Sequence, residues 1–233
     1  LTDMSKRKKK NSEGFNASLG TNMVPEQKIE LKDFNYSKKG QQAVALINQG
    51  KLFEAEVIYR EMISAGTANH ITYTNLAAIL GMQGKKKGLV DLLKTALNIQ
   101  PNFPEAHYNL GLALNEQGDI VGAIESCNRA ILLKSNFPEA FNTLGTALHK
   151  HGDLVNSVRS YRQALTLNPN YSEAFNNLGV VLDEQDELAA AIDAFKQALS
   201  LNPNFPDVHN NLGAAFQRGG DLLGCIAFYE KAI

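Results

Sequence analysis

The chain has 233 residues, 44% of them hydrophobic, which is enough for a packed core. Its formal net charge is -1 and its pI about 6.6, so global charge favours neither nucleic acid nor a membrane surface as partner. No stretch approaches the ~20 apolar residues of a spanning helix, and no apolar run follows the basic N-terminus as a secretory signal would require.

Residues 1–35 come first. Leu1-Thr2-Asp3 precede Met4, which reads as the natural start, and a basic run from Lys6 to Lys10 follows. Serine, asparagine and glycine then dominate at low apolar density, so a basic, disordered tail is expected over this segment. Such a run can tether nucleic acid or membrane, but a solvated tail is the plainer reading.

Beyond it the sequence copies itself. The stretch Pro104-Glu105-Ala106-His107-Tyr108-Asn109-Leu110-Gly111 returns in outline from Ser172 to Gly179 and from Pro206 to Gly213. A fourth copy runs from Pro138 through Phe141 and Leu144 to Gly145. The starts are 34 residues apart without a gap, and fixed self-similarity at such a period marks a solenoid. Stepping back by the same interval reaches His70 and Tyr36, giving units 36–69, 70–103, 104–137, 138–171, 172–205 and 206–233. The first unit is worn, with Gln42 where others have leucine, as suits a solenoid end whose outer face meets water. The last holds 28 of 34 residues and stops at Ile233 inside a helical pattern, so a fragment of a longer chain is expected. Fraying there is expected to expose Leu212, Phe216, Ile226 and Phe228 and to allow weak self-association.

Within a unit the apolar spacing is helical. Ala106, His107, Leu110, Gly111, Ala113 and Leu114 share one face, Gly118-Asp119 ends the helix, and a second helix turns Ile120, Ala123, Ile124, Cys127, Ala130 and Ile131 inward. Proline or serine opens the next unit, where a missing N–H costs nothing, and Glu139, Glu173 and Asp207 occupy first turns favoured by the helix dipole. Gly111, Gly145, Gly179 and Gly213 hold one phase of the first helix, and Ala130, Ala164, Ala198 and Ala232 one phase of the second. Small residues at fixed phase let backbones approach closely while Leu, Phe and Tyr fill the space around them.

Leu-Gly in the first helix, Gly-Asp at the turn, alanine with an aromatic in the second and Asn-Pro-Asn at the end resemble the tetratricopeptide repeat. The resemblance covers residues 36–233 and is most specific from residue 70. Departures are Leu89 where alanine is usual, Ser135 for the proline and Asp186 for the turn glycine. The resemblance implies an all-α fold, a right-handed superhelical solenoid of antiparallel helix pairs whose inner groove is lined by the first helices.

No catalytic chemistry emerges. There is no glycine-rich phosphate loop between strand and helix, and no Ser–His–Asp or Cys–His set at a fixed spacing. His107 and His209 fall at the aromatic packing position, and His149 with His151 lacks zinc-ligand spacing. Cys127 and Cys225 fall at apolar helix positions of different units and read as buried thiols, which fits a reducing, cytoplasmic setting. No cofactor or metal is expected, and the segment by itself is not expected to be an enzyme.

The opposite face of the first helix carries Glu105, Tyr108, Asn109, Leu112, Asn115 and Glu116. Its counterparts are Asn142, His149 and Lys150, then Asn176, Asn177, Asp183 and Glu184, then Asn210, Asn211, Gln217 and Arg218. Asn75, Asn109, Asn177 and Asn211 hold a single phase, interrupted by Thr143. Asparagine is a middling-to-poor helix former, so its recurrence mid-helix asks for a reason. A primary amide offers donor and acceptor together and so matches a peptide bond. With none of the four expected on the apolar face, the row would hold an extended polypeptide by its backbone.

This arrangement is similar to the asparagine ladder in the repeats of the protein O-linked N-acetylglucosamine transferases, and the likeness reaches those four residues only. The family's carboxylate clamp needs lysine and arginine where this chain has Glu105, Glu139, Glu173, Asp207 and asparagine, so no clamp is expected. The sequence thus points to a module that binds an extended protein or peptide. Two alternatives stand: the N-terminal recognition arm of a glycosyltransferase or sulfotransferase with its catalytic domain beyond residue 233, or a self-associating structural scaffold.

Overall fold

A computed structural model describes residues 34–220 of the chain. Among the described residues there are eleven α-helices and no strand. They are α1 (Phe34–Asn48), α2 (Leu52–Ser64), α3 (His70–Met82), α4 (Leu89–Ile99), α5 (Pro104–Gln117) and α6 (Ile120–Leu133), then α7 (Pro138–His151), α8 (Leu154–Leu167), α9 (Ser172–Glu184), α10 (Leu188–Leu201) and α11 (Pro206–Arg218). Helix α1 begins two residues ahead of the Tyr36 boundary drawn from the repeat, within the ordinary play of a helix end. The basic run Lys6–Lys10, Cys225, Ile226, Phe228 and Ala232 lie outside the described residues.

The helix ends follow from local chemistry. Proline takes the first position of α5, α7 and α11, where no N–H is needed. Asp119 and Asp153 cap α6 and α8 by accepting from the N–H groups of Gly122 and Asn156, and Asn69 with Thr72 forms a full capping box on α3. Gly118 and Gly152 end α5 and α7 at φ +87° and +90°, a left-handed turn that glycine enters without Cβ strain. Asp186 holds the corresponding place after α9 at φ +63°, the one non-glycine residue with positive φ among those described. Aspartate tolerates that region better than most residues, and Asp186 Oδ1 also accepts from Arg218.

The chain divides into two compact units at Lys134/Ser135. In the first, helices pair as α1 with α2, α3 with α4 and α5 with α6. Ala43, Ala55, Tyr59, Met62, Leu76 and Ile79 build one of its cores. In the second, α7 pairs with α8 and α9 with α10, and α11 packs on α10. Its core gathers Tyr161, Leu178, Val181, Phe195, Val208 and Leu212.

One packing rule serves all three complete pairs from α5 onward. A Cβ added to Gly111 would stand 2.6 Å from the Cys127 sulfur, one on Gly145 2.7 Å from the Tyr161 ring and one on Gly179 2.6 Å from the Phe195 ring. The second helix presses its large residue on the bare backbone of the first. Ala130, Ala164 and Ala198 are wholly buried one turn further along the second helices. The expected exposure near the C-terminal side is corrected at two positions: Leu212 is fully buried in the core, and Phe216 is half-buried with the Lys196 ammonium 5.9 Å from its ring centre.

Candidate functional site

The first helices of the two units differ in what they leave open. In α3 and α5 nearly every side is buried. Asn75, Tyr108, Asn109 and Asn115 are all buried there, with Asn75 and Asn109 each 1% exposed. This corrects the expectation that no asparagine of the row belongs to the interior. Asn75 Nδ2 donates to the Tyr59 hydroxyl at 3.1 Å, so that amide is a core contact.

In the second unit one face of α7, α9 and α11 stays accessible. Asn176, Asn177, Asp183, His149, Asn210 and Asn211 are half-buried, Gln217 is exposed, and Asn142 is nearly covered. The structure brings these side chains together by two hydrogen bonds. Asn177 Nδ2 donates to Asn142 Oδ1 at 3.1 Å, and Asn211 Nδ2 donates to Asn176 Oδ1 at 2.9 Å. Each bond spans 35 residues and joins one first helix to the next. Asn142 Nδ2 in turn reaches the Tyr171 hydroxyl at 3.4 Å. Asn177, Asn142 and Tyr171 therefore form one short chain in which each bond strengthens its neighbour, and Asn211 with Asn176 forms a second, separate pair.

Charges flank the amides on both sides. At the C-terminal ends of the helices, His149 Nε2 lies 2.8 Å from Glu184 Oε2, and Arg218 bonds the side chain and carbonyl of Asp183 as well as Asp186. At the N-terminal ends stand Glu139, Glu173 and Asp207, all half-buried. Burial raises the pKa of Glu173 above the ordinary carboxylate value. Sequence reasoning had these residues in view but missed the pairing. Its signal was the 35-residue offset between Asn142 and Asn177, repeated between Asn176 and Asn211.

The remaining chemistry is structural. His107 and His209 each place Nε2 2.9 Å from the carbonyl of the proline six residues earlier, Pro101 and Pro203. Cys127 is fully buried and its thiol is pushed up to about 12, far from a reactive thiolate. Among the described residues no group of three or more His, Cys, Asp or Glu side chains could hold a metal ion. Nor is any described helix long and apolar enough to cross a membrane.

Within each unit successive helix pairs stack with their first helices adjoining, which defines a helical-repeat scaffold. Residues 90–118, 147–186 and 183–220 match the family model of the TPR repeat, so these segments are tetratricopeptide repeats. The crystal structure of MamA is similar over 67% of this chain and 92% of its own, at 26% identity and a TM-score of 0.61. YrrB, a TPR protein with an unusual peptide-binding site, shares the fold over 75% of this chain and 90% of its own, at 21% identity and a TM-score of 0.59. A chain of the APC/C hetero-tetramer Cut9–Hcn1 covers 95% of this chain with 44% of its own length, at 17% identity and a TM-score of 0.77. No curated protein matches the chain significantly.

Proposed function

We propose that this chain is a protein-interaction module that takes an extended polypeptide across α7, α9 and α11, with no catalytic part of its own. The observation that carries the reading is the valence left over by the two amide pairs. Asn177 and Asn211 each use one Nδ2 hydrogen on their neighbour, and their Oδ1 atoms have no hydrogen bond among the described residues. Asn176 offers its Nδ2 group, and Asn210 offers the whole carboxamide. Helices α9 and α11 thus each present acceptors or donors, and those of Asn176, Asn177 and Asn211 are already oriented by a bond behind them. An extended backbone supplies complementary N–H and C=O groups and asks little of the side chains that accompany them. The internal bonds fix the amides before a ligand arrives, which reduces the ordering cost of binding. Asn75, Tyr108, Asn109 and Asn115 have no place in this site, since burial withholds them from a ligand.

Asn210→Ala tests the reading most cleanly, because that side chain is half-buried and has no internal hydrogen bond to lose. Binding to an immobilised library of unstructured peptides is expected to weaken by a factor of about two to ten, the worth of one hydrogen bond. Thermal melting should be unchanged or slightly raised, because alanine is the better helix former. Unchanged affinity in a folded variant would remove Asn210 from the site and, if Asn176→Ala behaved alike, would sink the proposal.

A further inference from the structure

The first helices of the two units share their phases but not their exposure. In α9, Asn176, Asn177 and Val180 are half-buried, although first helices α7 and α11 adjoin α9 on its two sides. In α5, Tyr108, Asn109 and Leu112 hold the same phases and are all buried. Within its unit α5 has one first-helix neighbour, α3, where Thr74, Asn75 and Ala78 are buried in the same way. Repeat neighbours therefore do not account for the difference. Side-chain size does not either. Tyr108 is the largest side chain of the row and would stand furthest from an open face, yet it is 0% exposed. Internal bonding does not draw Asn109 inward, since neither of its carboxamide atoms is bonded among the described residues. The face over α3 and α5 calls for a cover that the repeat pattern does not supply.

Residues 1–33 lead into Phe34 at the start of α1, one repeat ahead of α3. Much of that segment is too charged to bury, because an unpaired charge is costly to desolvate. Lys6 to Lys10 form a basic run, and Glu26, Lys28, Glu30, Lys32 and Asp33 follow near α1. Residues 14–24 differ. They carry no charge, and they set Phe15, Leu19 and Met23 four residues apart among serine, asparagine, glycine and threonine. The phases buried on α3 and α5 are likewise uncharged, with apolar side chains beside hydroxyls and amides. Reach is no obstacle. Leu19 lies 15 residues before Phe34, which is ~50 Å of extended chain at ~3.3 Å per residue. Crossing from α1 to α5 spans two helix spacings of ~10 Å each.

We infer that residues 14–24 of the same chain lie across α3 and α5 and close the face of the first unit. For those residues this replaces the disorder expected from composition. The chain then holds a segment of itself on the first unit, at the phases that the second unit leaves open to an outside polypeptide. That contrast in use rests on the docking reading above, whereas the cover itself rests on burial in the first unit alone. Its test accordingly reads the cover without any peptide ligand.

The first measurement uses the whole chain with a benzophenone side chain in place of the Phe15 ring. Irradiation of dilute protein should join that position to α3 or α5 within one molecule, as read by mass spectrometry of the digested product. Cross-links to a second copy, cross-links to the second unit alone, or no cross-link at all overturn the inference. The second measurement follows thiol labelling, peptide by peptide, in Asn109→Cys and separately in Asn177→Cys. Native Cys127 is the control, because it is fully buried. In the otherwise unchanged chain, position 109 should label about tenfold or more slowly than position 177, as burial withholds a thiol from reagent. Phe15→Ser, Leu19→Ser and Met23→Ser together should remove that difference while Cys127 stays unmodified. Lys8→Ser, Lys9→Ser and Lys10→Ser together should leave it intact. Protection of position 109 that survives the first triple variant sinks the inference, and so does a position 109 that is never protected. Should Cys127 label as fast as position 109, the whole unit has opened in that variant. The photo-cross-link, made without those substitutions, then decides.

Discussion

The carboxamide of Asn177 donates through Nδ2 to Oδ1 of Asn142, 3.1 Å away on the preceding first helix. Asn211 repeats the contact on Asn176 at 2.9 Å. Asparagines that look from their phase like a solvent-facing row are therefore partly spent on holding one repeat to the next. Removing them is therefore expected to lower stability, whatever it does to binding.

A double-mutant cycle on Asn142 and Asn177 separates the two effects. Each alanine gains helix propensity, which masks part of the loss in a single variant, but the cycle cancels that gain. A coupling of about 0.5–1.5 kcal/mol in urea denaturation is expected for one net hydrogen bond. A coupling near zero would mean that the pair does not persist in solution.

The contact between Gly179 and the Phe195 ring gives a second prediction. A methyl group at Gly179 would need the ring to shift by most of an ångström, because its Cβ would fall 2.6 Å from a ring carbon. Phe195 is 1% exposed and has no room to withdraw. Gly179→Ala should therefore cost about 1–3 kcal/mol, the usual range for overpacking, despite alanine's better helix propensity. Adding Phe195→Leu should recover part of that loss by clearing the ring. If the double variant melts lower than the sum of the singles, the two positions are not opposed as described.

Much of this architecture was legible in the sequence, because the period of 34 residues fixes which positions recur and their size fixes which can approach. Gly111, Gly145 and Gly179 kept one phase, and the residues 16 positions later took the space they left. The site was legible in part. Helical phase tells which residues share a face, but not whether that face is covered. Asn109 shares its phase with Asn177, and the apolar run Leu110–Leu114 matches Leu178–Leu182, yet Asn109 is buried and Asn177 is not, so what covers Asn109 lies outside its own helix. The bond from Asn177 to Asn142 depends on the stagger between neighbouring helices, which a repeat length alone does not specify.

Glu56 gives the pH prediction. Its side chain is 8% exposed and takes Arg60 Nε at 2.8 Å and Lys85 Nζ at 2.9 Å, tying α2 to the turn after α3. Burial by itself would raise its pKa, but Lys85 and Arg60, helped by Gln83, outweigh that and hold the carboxyl below its ordinary value. A depressed pKa means that the unfolded chain binds the proton more readily. The contribution is thus present above the ordinary carboxylate pKa and is lost as pH falls through the lower folded value. Glu56→Gln should cost about 1 kcal/mol at neutral pH and less in acid. The estimate is modest because both cations are about half exposed and keep their solvation. Denaturant midpoints across the acid range test this, and a constant difference between parent and variant at every pH would contradict it.

Asn109 carries the last prediction, and it separates a buried amide from a binding one. The residue is 1% exposed, and neither its Oδ1 nor its Nδ2 has a hydrogen-bond partner among the described residues. A buried polar group left unsatisfied costs about 1–3 kcal/mol, and an apolar side chain of similar length would remove that penalty. Leucine is also the better helix former. Asn109→Leu should therefore raise stability by about 1–2 kcal/mol and leave peptide affinity unchanged, whereas Asn210→Ala should weaken binding with stability unchanged or slightly raised. The measurement is a urea melt beside a peptide titration for each variant. Lower stability in Asn109→Leu would show that the amide finds a partner in solution. Weakened binding with intact folding would return Asn109 to the face that holds the ligand.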